Sequence, residues 1–356
     1  MRQMMAAKIR PGYAYALLAA GLFGASTPAA KYLLADTSPW LLAGLFYLGS
    51  GAGLFLTRVL RRRFREQQSE AKLHGKDWLW LAGATAFGGI LGPVLLMMGL
   101  ARTNSATASL LLNSETIATA LIAWFAFKEN FDRRILLGML AILAGSAVLC
   151  SAGTFDFQNF QGPLAILGAC VCWGIDNNLT KQVSAGDALQ IAMIKGTSAG
   201  VTNSTLALIF QQTHIIPSML VYAGIIGYLG YGVSLLCFVL ALRHIGAART
   251  GAYFSLAPFV GASLAVAVGQ ETFSWQLGIA GLLMGLGVYL HLTERHEHLH
   301  SHPAMEHEHS HIHDMHHQHS HEPGIPLQEP HSHWHRHESL EHTHPHFPDI
   351  HHTHTH

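Results

Sequence analysis

Long apolar runs separated by short polar segments dominate the first 294 residues. Each run approaches or exceeds the roughly 20 residues that a helix needs to cross a bilayer core of about 30 Å. The ten runs cover residues 13–34, 40–58, 78–101, 105–127, 134–152, 162–181, 187–210, 218–242, 246–268 and 275–293. They lack the polar alternation of membrane strands, and backbone groups in lipid must be bonded within their own segment. The sequence therefore predicts an all-α integral membrane protein with ten transmembrane helices.

Basic residues indicate how these helices are oriented. With the N-terminus inside, 18 of the 21 Lys and Arg residues fall in segments on the inner side of the membrane. Only Arg102 lies in an outer loop, while Lys31 and Lys195 lie within spans. Cytoplasmic segments carry an excess of basic residues. Both termini are therefore predicted to be cytoplasmic, in a bacterial-type inner (plasma) membrane.

The chain repeats itself across its two halves. Residues 23–24 (Phe-Gly) recur as residues 173–174 (Trp-Gly), and residues 128–131 (Lys-Glu-Asn-Phe) recur as residues 270–273 (Gln-Glu-Thr-Phe). Each half holds five predicted spans, so the second half enters the membrane from the opposite side. The pattern predicts two inverted five-helix repeats, residues 1–152 and 153–294, which is typical of transporters.

At these positions the chain resembles the drug/metabolite transporter superfamily, and specifically the ten-helix permeases built from two EamA-type repeats. The matching residues are Phe23-Gly24, Trp173-Gly174, Glu129 and Glu271 with Gly138 and Gly278 after them, and Pro258. The fourth span departs from the family pattern, because it reads Asn113-Ser114-Glu115 where members often carry proline. The resemblance covers about residues 13–293. It implies a carrier of a small-molecule solute and leaves the solute open.

Glu115 is the sharpest candidate for a transport residue. It lies about ten residues into the fourth span, close to the predicted midplane, and is flanked by Asn113, Ser114 and Thr116. An ionisable residue in the hydrocarbon is costly unless it faces a cavity or a partner. The position suits proton coupling or the binding of a cationic group. A neutral carboxyl, bonded within the bundle, is the structural alternative.

A second polar cluster lies in the sixth and seventh spans. Asp176 and Lys195 lie at similar depths on consecutive helices, which predicts an ion pair that either lines the pathway or only holds helix register. Asn177 and Asn178 follow Asp176, and the run that begins at Trp173 is too polar to face lipid. We therefore assign these five residues to the predicted pathway.

The remaining candidates carry weaker signals. Lys31, near the outer end of the first span, either joins the pathway or extends to the interface. Tyr253 could line a cavity, although aromatic residues in spans are more often packing residues. Glu129 and Glu271 lie at span ends, where a solvated carboxylate is cheap, so we expect a structural role for both.

Several function classes are excluded by what the sequence lacks. Its net charge is zero, and no basic stripe with interleaved aromatic residues points to nucleic acid. No GxxxxGK[ST], HExxH or GxSxG motif occurs, so neither an enzyme nor ATP-driven transport is predicted, and no cofactor is required. Transport would be driven by a gradient. The partners expected are the lipid bilayer and a solute, and a homodimer is an arrangement that the sequence leaves open.

The last 62 residues differ sharply in composition from the rest of the chain. Of the 27 histidines in the chain, 23 lie between Arg295 and His356. Imidazole suits zinc, nickel, cobalt and copper ions, so we expect the tail to bind these divalent metals with low specificity. The best-placed ligands are His296, His298, His300, His302, His307, His309, His311, His313, His316, His317, His331, His333 and His335. Six prolines and few large apolar residues predict a disordered tail on the cytoplasmic side.

Three functions remain open from the sequence. The first is a secondary-active inner-membrane transporter that exports a small metabolite by alternating access and carries a metal-binding tail. The second is a nickel, cobalt or zinc efflux carrier that is supplied by the tail. The third is a membrane metal sensor that does not transport.

Overall fold

A computed structural model of the chain describes residues 2–64, 73, 75–127, 133–151, 160–184, 186–210, 217–292, 296–302, 305–311, 331–337 and 340–346. Up to residue 292, α-helices and two π-helical turns dominate this part of the chain. The helices are α1 (Arg2–Leu33), α2 (Pro39–Phe64), α3 (Asp77–Ala84), α4 (Gly92–Arg102), α5 (Ser105–Leu111), α6 (Ser114–Phe127), α7 (Arg133–Ser151), α8 (Gln161–Val183), α9 (Ala188–Ile209), α10 (Pro217–Ile226), α11 (Ser234–Phe254), α12 (Ala257–Ala267) and α13 (Trp275–Leu292). The first π turn (Thr85–Leu91) joins α3 to α4, and the second (Gly227–Val233) joins α10 to α11.

The fourth predicted span consists of two helices. The run 105–127 is divided into α5 and α6 by a turn at Leu112 and Asn113. Backbone bonds there span three residues, from Asn113 N to Leu110 O (3.0 Å) and from Glu115 N to Leu112 O (3.0 Å). Such tight 3₁₀ geometry is common where an α-helix is interrupted.

Helix α11 contains a reversal of the chain direction. Phe238 and Phe254 are 16 positions apart, which is about 24 Å along a straight helix. Their ring centroids are nevertheless 4.9 Å apart. The chain therefore folds back between them, in the region where the sequence predicts the end of one span at 242 and the start of the next at 246.

Apolar side chains cover much of the outside of the bundle. By length and composition, four helical segments within the described residues could cross a membrane: Pro39–Arg61, Asp77–Arg102, Ser105–Ala126 and Pro217–Ala241. Leu79 is 74% exposed, Leu282 is 77% exposed and Trp275 is 81% exposed. A surface of this kind fits lipid rather than water. The chain is an integral membrane protein.

The two halves of the bundle pack in equivalent ways. Helix α2 packs against α9, and α7 packs against α13. Helix α1 packs against α11 and α12, just as α8 packs against α4 and α6. Small residues allow the close contacts, because a Cβ at Gly24 would collide with the backbone of Ala257, and a Cβ at Gly174 would collide with Ala118. The same kinds of helix pairing therefore occur in both parts of the chain.

The tail contains two antiparallel strand pairs where the sequence predicts disorder. Strand β1 (His296–His302) pairs with β4 (Leu340–His346), and β2 (Met305–His311) pairs with β3 (His331–His337). These four segments are extended and paired within the described part of the tail. In most of their length histidine alternates with another residue, and a period of two suits extended backbone.

Some predicted features lie outside the described residues. They are the repeat motif at 128–131 with Glu129, the junction of the halves near residue 152, and His313, His316 and His317 in the tail.

Candidate functional site

Two helix breaks meet at the centre of the bundle. The turn at Leu112 and Asn113 separates α5 from α6, and a matching turn at Ser255 and Leu256 separates α11 from α12. The hydroxyls of Thr116 and Ser255 lie 3.2 Å apart and join the two breaks directly. Discontinuous helices of this kind place polar backbone and side chains inside a membrane domain, where transporters bind their solutes.

Glu115 lies in the first turn of α6, beside this junction. Its Oε1 accepts a hydrogen bond of 2.8 Å from Nδ2 of Asn177 on α8, and the same Nδ2 is 3.3 Å from Oγ1 of Thr119. Glu115 and Asn177 are both partly exposed inside the bundle. The ion pairs Arg58–Asp187 and Lys195–Asp176 do not involve Glu115. The carboxyl is therefore available for a proton or for a cationic group.

The predicted ion pair between Asp176 and Lys195 is present. Lys195 Nζ lies 2.5 Å from Asp176 Oδ1 and 3.2 Å from Thr180 Oγ1, and the Thr180 hydroxyl donates to the same carboxylate oxygen at 2.8 Å. Asp176 is 8% exposed and Lys195 is 2% exposed. These hydrogen bonds offset part of the cost of burying two charges. It joins α8 to α9.

The first π turn lies against this pair and is held by three side chains. Tyr47 Oη and Trp173 Nε1 both donate to the carbonyl of Gly88, at 2.8 Å and 3.0 Å. Asn203 Nδ2 donates to the carbonyl of Gly89 at 3.0 Å. A π turn breaks the regular pattern of backbone bonds, and such turns are frequent at functional sites. A Cβ at Gly88 would overlap the Asp176 carboxylate.

Aromatic rings surround the same level of the bundle. Phe23 on α1 makes edge contacts with Trp173 at 5.8 Å and Tyr231 at 5.7 Å, and a tilted contact with Phe254 at 5.5 Å. Tyr231 in turn contacts Tyr47 at 5.4 Å. The cluster joins α1, α2, α8 and α11 around the two helix breaks.

Four predicted site residues point elsewhere. Asn113 donates to Leu110 O at 3.2 Å and approaches Met284 Sδ at 3.8 Å, away from Glu115. Asn178 donates to the carbonyls of Gly174 and Thr119 and so fastens α8 to α6. Lys31 donates to the carbonyl of Leu100 at 2.7 Å, at the C-terminus of α4. Tyr253 packs on Tyr13, with ring centroids 5.1 Å apart.

Sequence reasoning missed several residues of the site. Tyr47, Asn203 and the Gly88 carbonyl gave no signal, because their roles depend on the π turn. The pair Gly88-Gly89 is the one local hint, since adjacent glycines in an apolar run permit close backbone approach. Thr116 and Ser255 lie in different halves, and only the packing of the halves brings them together.

The fold and the site define a helical membrane protein with two similarly packed halves and a polar centre. A family model described as the EamA-like transporter family matches the chain twice, over residues 10–151 and 160–293. The chain belongs to the EamA-like transporter family, which confirms the resemblance inferred from the repeated motifs.

Similar proteins agree with this membership. An uncharacterized transporter of Methanothermobacter thermautotrophicus (strain Delta H) is 30% identical over 292 residues, which cover 78% of this chain and 85% of the relative. The uncharacterized transporter YyaM of Bacillus subtilis (strain 168) is 22% identical over 274 residues, covering 74% and 88%. A solved crystal structure with 18% identity covers 80% of this chain and 95% of its own, with a TM-score of 0.58, and supports the fold alone.

Proposed function

We propose that this chain is a secondary-active carrier that exports a small metabolite across a bacterial-type inner membrane by alternating access. Ten spans in two inverted repeats, residues 1–152 and 153–294, would place both termini and the histidine-rich tail in the cytoplasm. The equivalent packing of the halves supports this arrangement, and so does the concentration of basic residues on one side.

The observation that carries the proposal is the placement of the Glu115 carboxyl. It lies between α6 and α8, beside the point where the breaks of the two halves meet at Thr116 and Ser255. A rotation of one half against the other would alter this junction. A carboxyl there takes up a proton or a cationic group from one side and releases it to the other. Asn177 orients that carboxyl, while Asp176 and Lys195 brace the π turn behind it.

Glu115→Gln is expected to reduce export to the level of cells without the protein. Gln keeps the shape and the contact with Asn177 but cannot exchange a proton. The measurement is an untargeted comparison of metabolites in the medium of cells that carry an empty vector, the wild-type chain or the variant. Ser114→Ala is the matched control, because its hydroxyl bonds to Ser146 on α7 and not to the site. Wild-type export that survives in Glu115→Gln would refute the role of Glu115.

The same cells discriminate the two other functions. Under nickel, cobalt and zinc load, cellular metal is measured by mass spectrometry, with a chain that ends at residue 294 as a further sample. Lower metal with the full chain, lost in Glu115→Gln, would identify a metal exporter. A metal response that depends on the tail alone, with no solute flux changed by Glu115→Gln, would identify a sensor.

The tail is proposed to bind divalent metal ions on the cytoplasmic side. The strand register places His307 opposite His335 and His309 opposite His333, and on the other pair His298 opposite His344. Cα atoms of opposed residues are about 4.5–5.5 Å apart in antiparallel pairs. Such spacing suits pairs of imidazole ligands for zinc, nickel, cobalt or copper.

Removing residues 295–356 is expected to abolish nickel binding by the purified protein, and acidification is expected to weaken it in the full chain. Free imidazole is protonated below about pH 6.5 and then cannot coordinate metal. Nickel affinity is measured by competition with a coloured chelator at pH 7.5 and pH 5.5. Replacement of His307, His309 and His311 by Gln tests the second strand pair, and nickel binding unaffected by the deletion would contradict the proposal.

A further inference from the structure

A further polar cluster lies at the end of the bundle where α1 finishes. We call this cluster the distal latch and define it as Lys31, Ser105, Thr107, Gln270 and Glu271. We propose that the distal latch closes the outer side of the carrier and opens when solute is released. The inference rests on the proposed alternating-access function and adds the device that gates one side.

Gln270 ties the connection after α12 to two helices of the first half. Its Nε2 donates to the carbonyl of Pro28 on α1 at 3.0 Å, and its Oε1 accepts from the hydroxyl of Ser105 on α5 at 2.6 Å. One amide therefore uses both its donor and its acceptor, each toward a different helix. Such a bridge fixes the relative position of three helices.

Glu271 holds the N-terminus of α5. Its Oε2 accepts from the backbone N–H of Ala106 at 3.0 Å and of Thr107 at 3.3 Å, and its Oε1 accepts from the Thr107 hydroxyl at 3.2 Å. The first N–H groups of a helix have no partner within it, and a carboxylate is a strong acceptor for them. The sequence predicts a structural role for Glu271, and that role is to cap the N-terminus of α5, a helix of the other half.

Local backbone geometry presents these two side chains. The N–H of Gln270 bonds to Ala265 O, and the N–H of Gly269 bonds to Val266 O. Gly269 has φ of +74°, which a residue with a Cβ rarely adopts. Together these features form a Schellman ending of α12, in which Gly is favoured. The sequence Gly-Gln-Glu thus stops the helix and directs Gln270 and Glu271 back across the bundle.

Lys31 adds a third contact at the same end. Its ammonium donates to the carbonyls of Leu100 at 2.7 Å and Ala101 at 3.4 Å, in the last turn of α4. These carbonyls lack helical partners, and the C-terminal end of a helix attracts positive charge. The contact joins the end of α1 to the end of α4 beside the residues that Gln270 and Glu271 hold.

The latch is suited to opening because its contacts between the halves are polar and short-range. All of them come from the short segment that follows α12. Gln270 and Glu271 belong to the second half, and Pro28, Ser105, Ala106 and Thr107 belong to the first. When the halves rotate apart at this end, all of these bonds break together and water replaces them. The basic residues place this end on the outer side, where an exporter releases its solute.

The test measures a distance across the latch in the full-length purified protein. Spin labels on cysteines at Tyr32, which is 66% exposed, and Trp275, which is 81% exposed, report the separation of α1 from α13. The native Cys150, Cys170, Cys172 and Cys237 are replaced. Gln270→Ala with Glu271→Gln is expected to raise the ratio of long to short distances about tenfold, since bonds to a charged group are lost.

Gln276→Ala is the matched control, because Gln276 is exposed near the same end. It is expected to leave the distances unchanged. The single variants Gln270→Ala and Glu271→Gln are milder and serve if the double variant does not fold. Distances that match wild type in every folded latch variant overturn the proposal.

A second measurement uses whole cells. A cysteine at Thr119, near Glu115, is treated from outside with an impermeant thiol reagent, and faster modification in the latch variants supports opening on the outer side. Modification no faster than in Gln276→Ala overturns it. Neither readout requires a solute. The latch proposal is therefore tested even if Glu115→Gln shows that the proposed export is wrong.

Discussion

Lys195→Met is expected to lower the free energy of unfolding by about 3–5 kcal/mol. The substitution leaves the Asp176 carboxylate buried with the Thr180 hydroxyl but without its cation. Lys195 is the cation paired with this carboxylate. Equilibrium unfolding in mixtures of a mild detergent and dodecyl sulfate measures the change.

Two further variants test whether the loss of stability comes from the unpaired buried charge. Asp176→Asn with Lys195→Met removes both charges, and it is expected to recover most of the loss because no unpaired charge remains buried. Lys76→Met is the matched control, since Lys76 is exposed and such surface changes fall within about 0.5 kcal/mol. If Lys195→Met and the double variant were equally unstable, the pair would not account for the effect.

Gly227→Ala is expected to destabilise the protein by about 1–3 kcal/mol or to force α2 away from the second π turn. The added Cβ would overlap the Phe46 carbonyl oxygen and approach the Phe46 Cα and carbonyl carbon at 2.6 Å and 2.7 Å. Backbone atoms cannot rotate aside as a side chain does. Thermal unfolding in detergent measures the loss.

Gly224→Ala is the matched control on the same run of helix. A Cβ at Gly224 meets nothing within 4 Å, so the variant is expected to be neutral or to gain up to about 1 kcal/mol from the better helix propensity of Ala. Equal unfolding of the two variants would show that contact with Phe46 does not limit this packing.

Features that depend on membrane depth and periodicity were predictable from the sequence. The runs that became α2 and α8 were long and largely apolar, and Asp176 and Lys195 were recognisable as partners because they lie at similar depths on consecutive helices. The family was inferred from short motifs that recur in both halves. Each of these inferences needs only local information or a simple count along the chain.

Contacts between distant segments were not predictable in this way. Glu115 and Asn177 were separate candidates in the sequence, and the packing of α6 on α8 makes them one site. Glu271 was expected to be solvated, whereas it caps α5 from the other half of the chain. The π turns also gave no periodic signal, because one extra residue in a helical turn scarcely alters an apolar run.

The strands in the tail show the opposite limitation. Composition alone indicated disorder, since histidine and proline supply little apolar area for a core. The alternation of histidine with other residues carried the competing signal for extended backbone. In residues 296–302 and 340–346 that alternation corresponds to paired strands.

The position of α1 has a consequence for how the protein is made. Its Phe23 and Gly24 pack against α11 and α12, and Ala257 leaves the ribosome 233 residues after Gly24. At about 5–20 residues per second, α1 waits roughly 10–50 s in the membrane before these partners exist. During synthesis the face of α1 that carries Gly24 is a surface without its native neighbours. A chain cut short before α12 therefore keeps that face uncovered, which gives membrane quality control a feature by which to recognise it.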